Sequence, residues 1–303
     1  MKFTKKAALI LALLMLCGCG AQAKKSNGKF VVYTSFAVME DFAGRLCTDE
    51  TEVRQLVPSG AEPHDWEPSP KDMAGMADAD LIVINGMGME GWADKVRKSL
   101  PNAKFVVLSD GIAGFKDMDH DHDHSDDGHA HDHGGIDPHV WLNPMHAVTE
   151  VRNLRDALIA MDPENEALYN ERFAVFEQEA IALDAEFTAA LSGSAQKSIV
   201  VSHEAYGYLC EAYGLTQIPI EGLFADGEPS PTKIAEIIEF VKSNQIEYIF
   251  FEELLPSKAL DTIAAGTGVK TLLLSPLEYI GDGEDYFSVM RMNLKNLSEA
   301  LRP

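Results

Sequence analysis

Residues 163–191 read PENEALYNERFAVFEQEAIALDAEFTAAL, with no glycine and no proline after Pro163. Alanine, glutamate, leucine and phenylalanine, residues at ease in helices or in the cores they pack against, fill most of it. The stretch predicts a helix of up to 29 residues, about 40 Å long at ~1.5 Å per residue. A helix of that length is uncommon as a connection inside one compact domain. It predicts two lobes joined by a stiff rod, whose relative motion is a tilt and not a wide closure.

On both sides of this rod, short apolar runs alternate with helical patterns. Before it, Phe30–Tyr33, Val53–Val57 (stopped by Pro58), Leu81–Asn85 and Lys104–Leu108 read as strands, and Ala37–Leu46, Lys71–Ala77 and Glu90–Leu100 as helices. Ser69-Pro70 is a helix start, with Ser69 as cap and Pro70 in the first helical position. After the rod, Ser198–Val201, Thr216–Ile220, Tyr248–Phe251 and Thr271–Leu274 read as strands, and Ser230-Pro231 opens a helix in the same manner. Such alternation predicts an α/β fold of two similar lobes with mainly parallel sheets, and ligands at the carboxyl ends of the strands. The expected divisions are a signal peptide at 1–18, a tether at 19–28, a first lobe at 29–162, the linker helix at 163–191 and a second lobe at 192–303.

The leader carries Lys2, Lys5 and Lys6 before an apolar run of ten residues, Ala7 to Leu16. As a helix it covers about half of a ~30 Å hydrocarbon core, which suits a signal peptide and not a membrane span. Leu16-Cys17-Gly18-Cys19 resembles the lipobox of bacterial lipoproteins, with Cys19 as the lipidated first residue of the mature chain. Cys17 fits less well behind bulky Leu16, and a plain secretory cut near Ala21 to Ala23 is the alternative. The protein is therefore expected outside the cytoplasm, held to the membrane by an N-terminal lipid. Loss of the three lysines takes the formal net charge from −23 to −26. An acidic surface of this kind argues against nucleic acid as a partner, because phosphate recognition needs a basic face. Cys47 and Cys210 fall in helical patterns of different lobes and are expected as buried free thiols.

Residues 117–135, DMDHDHDHSDDGHAHDHGG, place His120, His122, His124, His129, His131 and His133 among seven aspartates. The segment has almost nothing apolar to bury. Its imidazoles are ready metal ligands near neutral pH. It could collect metal near a tighter site through effective concentration, buffer an excess, or report occupancy; a tolerated insertion is the plain alternative.

Three further histidines stand where strands should end: His64 after the second strand, His139 in Asp137-Pro138-His139, and His203 directly after the first strand of the second lobe. Pro63 and Pro138 stiffen the chain just before two of them. A fourth, anionic partner would offset part of a +2 charge, and Glu204, Glu221, Glu252, Glu253 and Glu278 all lie near strand ends. Glu278, in Leu274-Ser275-Pro276-Leu277-Glu278, is favoured because it repeats the strand-then-turn context. Three imidazoles and one carboxylate form a four-coordinate set suited to Zn²⁺, whereas Mn²⁺ prefers more oxygen ligands. With all four positions supplied by protein, no water remains to be activated, so the set reads as a binding site and not as an enzyme.

At these residues the chain resembles the high-affinity zinc and manganese solute-binding proteins of bacterial ABC transporters. The resemblance is carried by Gly-x-x-Pro-His-x-Trp-x-Pro-Ser-Pro at Gly60 to Pro70, Asp-Pro-His-x-Trp-Leu-x-Pro at Asp137 to Pro144, Ser-His-Glu-Ala-Tyr-Gly-Tyr at Ser202 to Tyr208, and Pro-Leu-Glu at Pro276 to Glu278. It runs from about Lys29 to the C-terminus. It implies two α/β lobes joined by one long helix, a metal in the cleft between them, and delivery to a membrane permease by a monomeric carrier. The acidic His-rich loop is similar to that of the zinc branch; manganese members typically have a carboxylate where His203 stands. Two positions depart from the pattern: His146, expected on the surface, and Trp66, expected to wall the site in place of a smaller aromatic. A manganese or iron carrier, a surface adhesin and a zinc hydrolase with Glu204 as its base are the competing readings.

Overall fold

The protein is described by a computed structural model covering residues 29–115, 135–223, 229–254 and 258–302. Its first half is built on a parallel sheet of β1 (Phe30–Thr34), β2 (Thr51–Gln55), β3 (Leu81–Ile84) and β4 (Phe105–Val107), in the order β2-β1-β3-β4. Val32 of β1 stands opposite both Val53 and Leu81. Central strands of a sheet covered on both faces are apolar throughout, and β3, Leu-Ile-Val-Ile, is buried at every position. The edge strand β2, Thr-Glu-Val-Arg-Gln, is the polar one. It starts two residues before the expected Val53 because its ladder matches the whole of β1. Leu56 and Val57 lie beyond it but still donate to Thr34 O and Ser35 O at 2.8 and 2.9 Å.

Three helices connect these strands: α1 (Ala37–Leu46), α2 (Pro70–Ala77) and α3 (Ala93–Ser99). Ser69 caps α2 as its sequence predicts, accepting the Asp72 N–H while the Asp72 carboxylate accepts the Ser69 N–H. The α3 helix begins at Ala93 and not at Glu90. The Glu90 carboxylate folds back onto the Asn85 and Gly86 N–H groups at 2.8 and 2.9 Å. It does so across a turn in which Gly86, Met87 and Gly88 all have positive φ, a backbone path that cannot belong to a right-handed helix.

Then follow α4 (Pro144–Met161) and the long helix α5 (Glu166–Leu191), whose 26 residues are preceded by a 3₁₀ turn over Pro163–Asn165. Tyr169, Phe173, Phe176, Ala180, Leu183, Phe187 and Leu191 are its buried residues. Their spacing of three and four places them on one stripe. That stripe enters a single core shared by Val32 and Phe42 of the first half and Tyr206, Leu274 and Phe287 of the second. The rod is thus packed along one face against a core that both halves share, a stiffer arrangement than a free spacer.

The second half contains β5 (Ser198–Val201), α6 (Gly207–Tyr213), β6 (Thr216–Pro219), α7 (Pro231–Ser243), β7 (Tyr248–Phe251), α8 (Lys258–Thr267), β8 (Lys270–Leu273) and α9 (Tyr286–Ala300). Its strands form two parallel pairs, β5-β6 and β7-β8, with β5 running beside β7. No ladder joins β5 to β7 among the described residues, but side by side the pairs take the spatial order β6-β5-β7-β8, a likeness to the winding of the first half that the sequence does not show as a repeat. Hydrogen bonds also join the lobes: Trp141 Nε1 donates to Pro276 O at 2.7 Å, and the Tyr286 hydroxyl donates to Trp141 O at 2.9 Å. Cys47 and Cys210 are buried free thiols in the shared core. No helix among the described residues is long and apolar enough to cross a membrane. Cys19 and the histidines of the 117–135 loop lie outside the described residues.

Candidate metal centre

The carboxyl ends of both sets of strands face one another, and four loops meet there. His64 is delivered by the loop after β2, shaped by Pro58, by Gly60 at φ +83° and by Pro63. His139 follows β4. Asp137 Oδ1 accepts its backbone N–H at 2.9 Å and its ring Nδ1–H at 2.8 Å, an aspartate turn that sets ring and backbone together. His203 directly follows β5, and Glu252 at the end of β7 takes its ring Nδ1–H at 2.7 Å. Glu278 follows β8 in a turn that Asn293 of α9 pins by exchanging hydrogen bonds with Ser275, both at 2.8 Å. Leu277, just before it, has φ +60° and is fully buried. A leucine held in the left-handed region marks a backbone dictated by its surroundings.

Each of the three histidines presents Nε2 to the others, and Glu278 presents Oε1. His64 Nε2 and His203 Nε2 lie 3.2 and 3.3 Å from His139 Nε2. Glu278 Oε1 is 3.2 Å from His64 Nε2, 3.2 Å from His139 Nε2 and 3.8 Å from His203 Nε2. An ion bonded at about 2.0–2.1 Å to four tetrahedral ligands spaces them ~3.3 Å apart. Four of the separations match that spacing, the one between Glu278 Oε1 and His203 Nε2 is wider at 3.8 Å, and all four donor atoms lie within 4.8 Å of one another.

Their surroundings shift the titration of each of the four groups. Burial lowers the ring pKa of His139, but hydrogen bonds to Asp137 and Glu278 outweigh it and take it up to about 10. His203 is likewise raised, burial being overcome by the charge and hydrogen bond of Glu252. His64 is lowered, chiefly by burial. Glu278 is held well below the usual carboxylate range because its hydrogen bonds from His139 and His64 overcome burial. Glu62 at the rim moves the other way, up to about 8, through burial and then the nearby Glu278 charge.

Of the five carboxylates that the sequence offers as a fourth partner, the structure brings Glu278 into the set. Glu252 stands behind His203 and orients it; Glu204, Glu221 and Glu253 are not among the four. His146, expected on the surface, is half-buried with its ring 5.3 Å from that of Tyr208. Trp66 packs edge-on against Trp92 at 5.6 Å and bridges two core clusters. Sequence reasoning missed three participants. Asp137 was visible only as part of a motif, Glu252 only as a rival for the fourth position, and Glu62 not at all. A carboxylate two residues before a candidate histidine is the signal that was available for both Asp137 and Glu62.

A family described as the periplasmic zinc-uptake complex component A matches residues 32–300. The chain is 36% identical over 312 residues to the high-affinity zinc uptake system protein ZnuA of Bacillus subtilis, covering 99% of this chain and 98% of that protein. It is 38% identical over 313 residues to the zinc-binding protein AdcA of Streptococcus pyogenes, covering 97% of this chain but spanning only 61% of the length of AdcA. The crystal structure of the Zn(II)-bound ZnuA-like domain of Streptococcus pneumoniae AdcA superposes with a TM-score of 0.77 at 34% identity, covering 91% of this chain and 100% of that one.

Proposed function

The chain belongs to the family of periplasmic zinc-uptake complex A components, and from that premise we propose that it captures Zn²⁺ outside the cytoplasm and delivers it to an ABC-type permease. His64, His139, His203 and Glu278 are the ligands, with 29–162 and 192–303 as the two lobes that supply them. The observation that carries this reading is the convergence of three Nε2 atoms and one carboxylate oxygen, from four separate loops, within 4.8 Å of one another. Nitrogen-rich, four-coordinate sets favour Zn²⁺ over Mn²⁺, which prefers a larger number of oxygen ligands. The ion is cargo: with four protein ligands there is no open position for an activated water. Attachment to the membrane is assigned to a lipid on Cys19, and the loop histidines to a second, weaker population of bound ions.

Calorimetric titration of metal-stripped protein tests the reading. One Zn²⁺ should bind in the tight phase, with Mn²⁺ weaker, in the order that ligand softness and the divalent series give. Equal affinity for the two ions would remove zinc as the cargo.

A further inference from the structure

Tyr206-Gly207-Tyr208 follows His203 in the third motif but contributes nothing to the four-residue set. It is nevertheless where the second lobe grips the His139 loop. The Tyr208 hydroxyl donates to Asp137 O at 2.9 Å and accepts the Phe115 N–H at 3.1 Å. Its ring packs edge-on against Phe115 at 5.0 Å. Gly207 comes so near the same loop that a Cβ on it would stand 2.5 Å from Asp137 Oδ2. The other oxygen of that carboxylate, Oδ1, holds both the ring and the backbone of His139 at 2.8 and 2.9 Å. One carboxylate thus abuts α6 with one oxygen and orients an imidazole of the site with the other. A cavity of about 520 Å³, bordered by Phe115, Asp137, Gly207 and Cys210, lies alongside, so Asp137 has room to swing away once the grip is lost.

We propose that Tyr208 and Gly207 are positioning residues that fix Asp137 and, through it, His139, so that metal affinity depends on how α6 is seated against the His139 loop. The inference rests on the assignment of His139 as a ligand. Unseating α6 loosens the ion without displacing any ligand directly, which gives a partner acting on the second lobe a means of unloading the site.

The test compares Tyr208→Phe, Gly207→Ala, Asp137→Asn and the Tyr208→Phe/Asp137→Asn pair with the unaltered full chain. Zinc dissociation into a chelator, the visible spectrum of the Co²⁺-loaded protein and the thermal midpoint of the metal-free protein are measured. Phenylalanine keeps the ring and removes only the hydroxyl. It should speed dissociation by about tenfold, the lower end for lost support of a ligating histidine, and shift the Co²⁺ bands, while lowering the metal-free midpoint only by the few degrees that two lost hydrogen bonds cost. Because Tyr208 holds the main chain of Asp137 and acts on His139 through the side chain that this places, the double variant should release zinc no faster than Asp137→Asn alone. Gly207→Ala, which leaves the hydroxyl in place, should speed release as well. Unaltered dissociation and Co²⁺ bands in both Tyr208→Phe and Gly207→Ala would overturn the proposal, as would a double variant whose effect is the product of the two singles. His139→Ala reads the underlying assignment separately. Unchanged zinc affinity there removes His139 as a ligand and this inference with it, whereas weakened affinity there with wild-type behaviour in the two positioning variants overturns this inference alone.

Discussion

His203 and Glu252 meet through Nδ1 and Oε2 at 2.7 Å, leaving His203 Nε2 to face His139 Nε2 at 3.3 Å. The pairing of His139 with Asp137 at 2.8 Å does the same on the other lobe. A carboxylate that accepts the Nδ1–H fixes the tautomer, turns the Nε2 lone pair inward and makes it a better donor. The lobes obtain this arrangement by different routes. Asp137 is two residues from its histidine in one loop, whereas Glu252 is 49 residues from its own, on the end of a neighbouring strand.

Removing the Glu252 support should weaken zinc binding without removing a ligand. Glu252→Gln retains an acceptor and is expected to lose about tenfold, and Glu252→Ala up to ~100-fold, measured by competition with a chromophoric chelator. Wild-type affinity in Glu252→Ala would show that His203 needs no such support.

Zinc binding should strengthen with rising pH and release protons. His139 holds a proton to about pH 10 in the metal-free protein, and the His203 ring pKa is raised too. An ion can use their Nε2 atoms only when these are unprotonated, so affinity falls as pH drops and protons are displaced on binding. Calorimetry at pH 7 in buffers of different ionisation enthalpy should find at least one proton released per ion; no net release would contradict the assigned ligands.

Deletion of 117–135 should leave the tight site intact. Its four residues are held by β2, β5 and β8 ends and by the Asp137 turn, all of them outside that segment. Total zinc capacity should drop while the tightest phase of the titration keeps its affinity. Loss of that phase would place the principal ligands in the loop.

Much of this arrangement was legible in the sequence. Strand ends carrying His64, His139 and His203 are readable because apolar runs, proline stops and histidines lie next to one another in the chain. Ser69-Pro70 gave the start of α2 because a cap is a local event. What failed to read was set by distance. Glu278 is favoured over Glu252 by its strand-then-turn context, but that Glu252 supports His203 does not read, since only the packing of β7 beside β5 turns it behind that ring. The start of α3 was misplaced because Glu90 satisfies the Asn85 and Gly86 N–H groups, a tertiary use that helix propensity does not encode. His146 was expected in solvent because the Tyr208 ring that covers it comes from the other lobe.

One buried acid predicts a pH-dependent stability. Glu150 on α4 is fully buried, and neither carboxyl oxygen meets a donor among the described residues. Burial, and secondarily the charge of Glu90, raises its pKa well above the ordinary value. A group with a raised native pKa binds its proton more tightly when folded. Its contribution is therefore full below about pH 4.3, the ordinary glutamate value, and is lost as pH rises toward the native one. Glu150→Met should raise the thermal midpoint of the metal-free protein more at pH 8 than at pH 5; an equal change at both would contradict the assignment.

The most direct measurement is diffraction from crystals of the zinc-loaded full chain, collected on both sides of the zinc absorption edge. One anomalous peak should lie between the lobes, about 2.0–2.1 Å from Nε2 of His64, His139 and His203 and from a carboxylate oxygen of Glu278, the ordinary zinc bond lengths. A strongest peak away from these four residues, or an ion there completed by several water oxygens, would contradict the account.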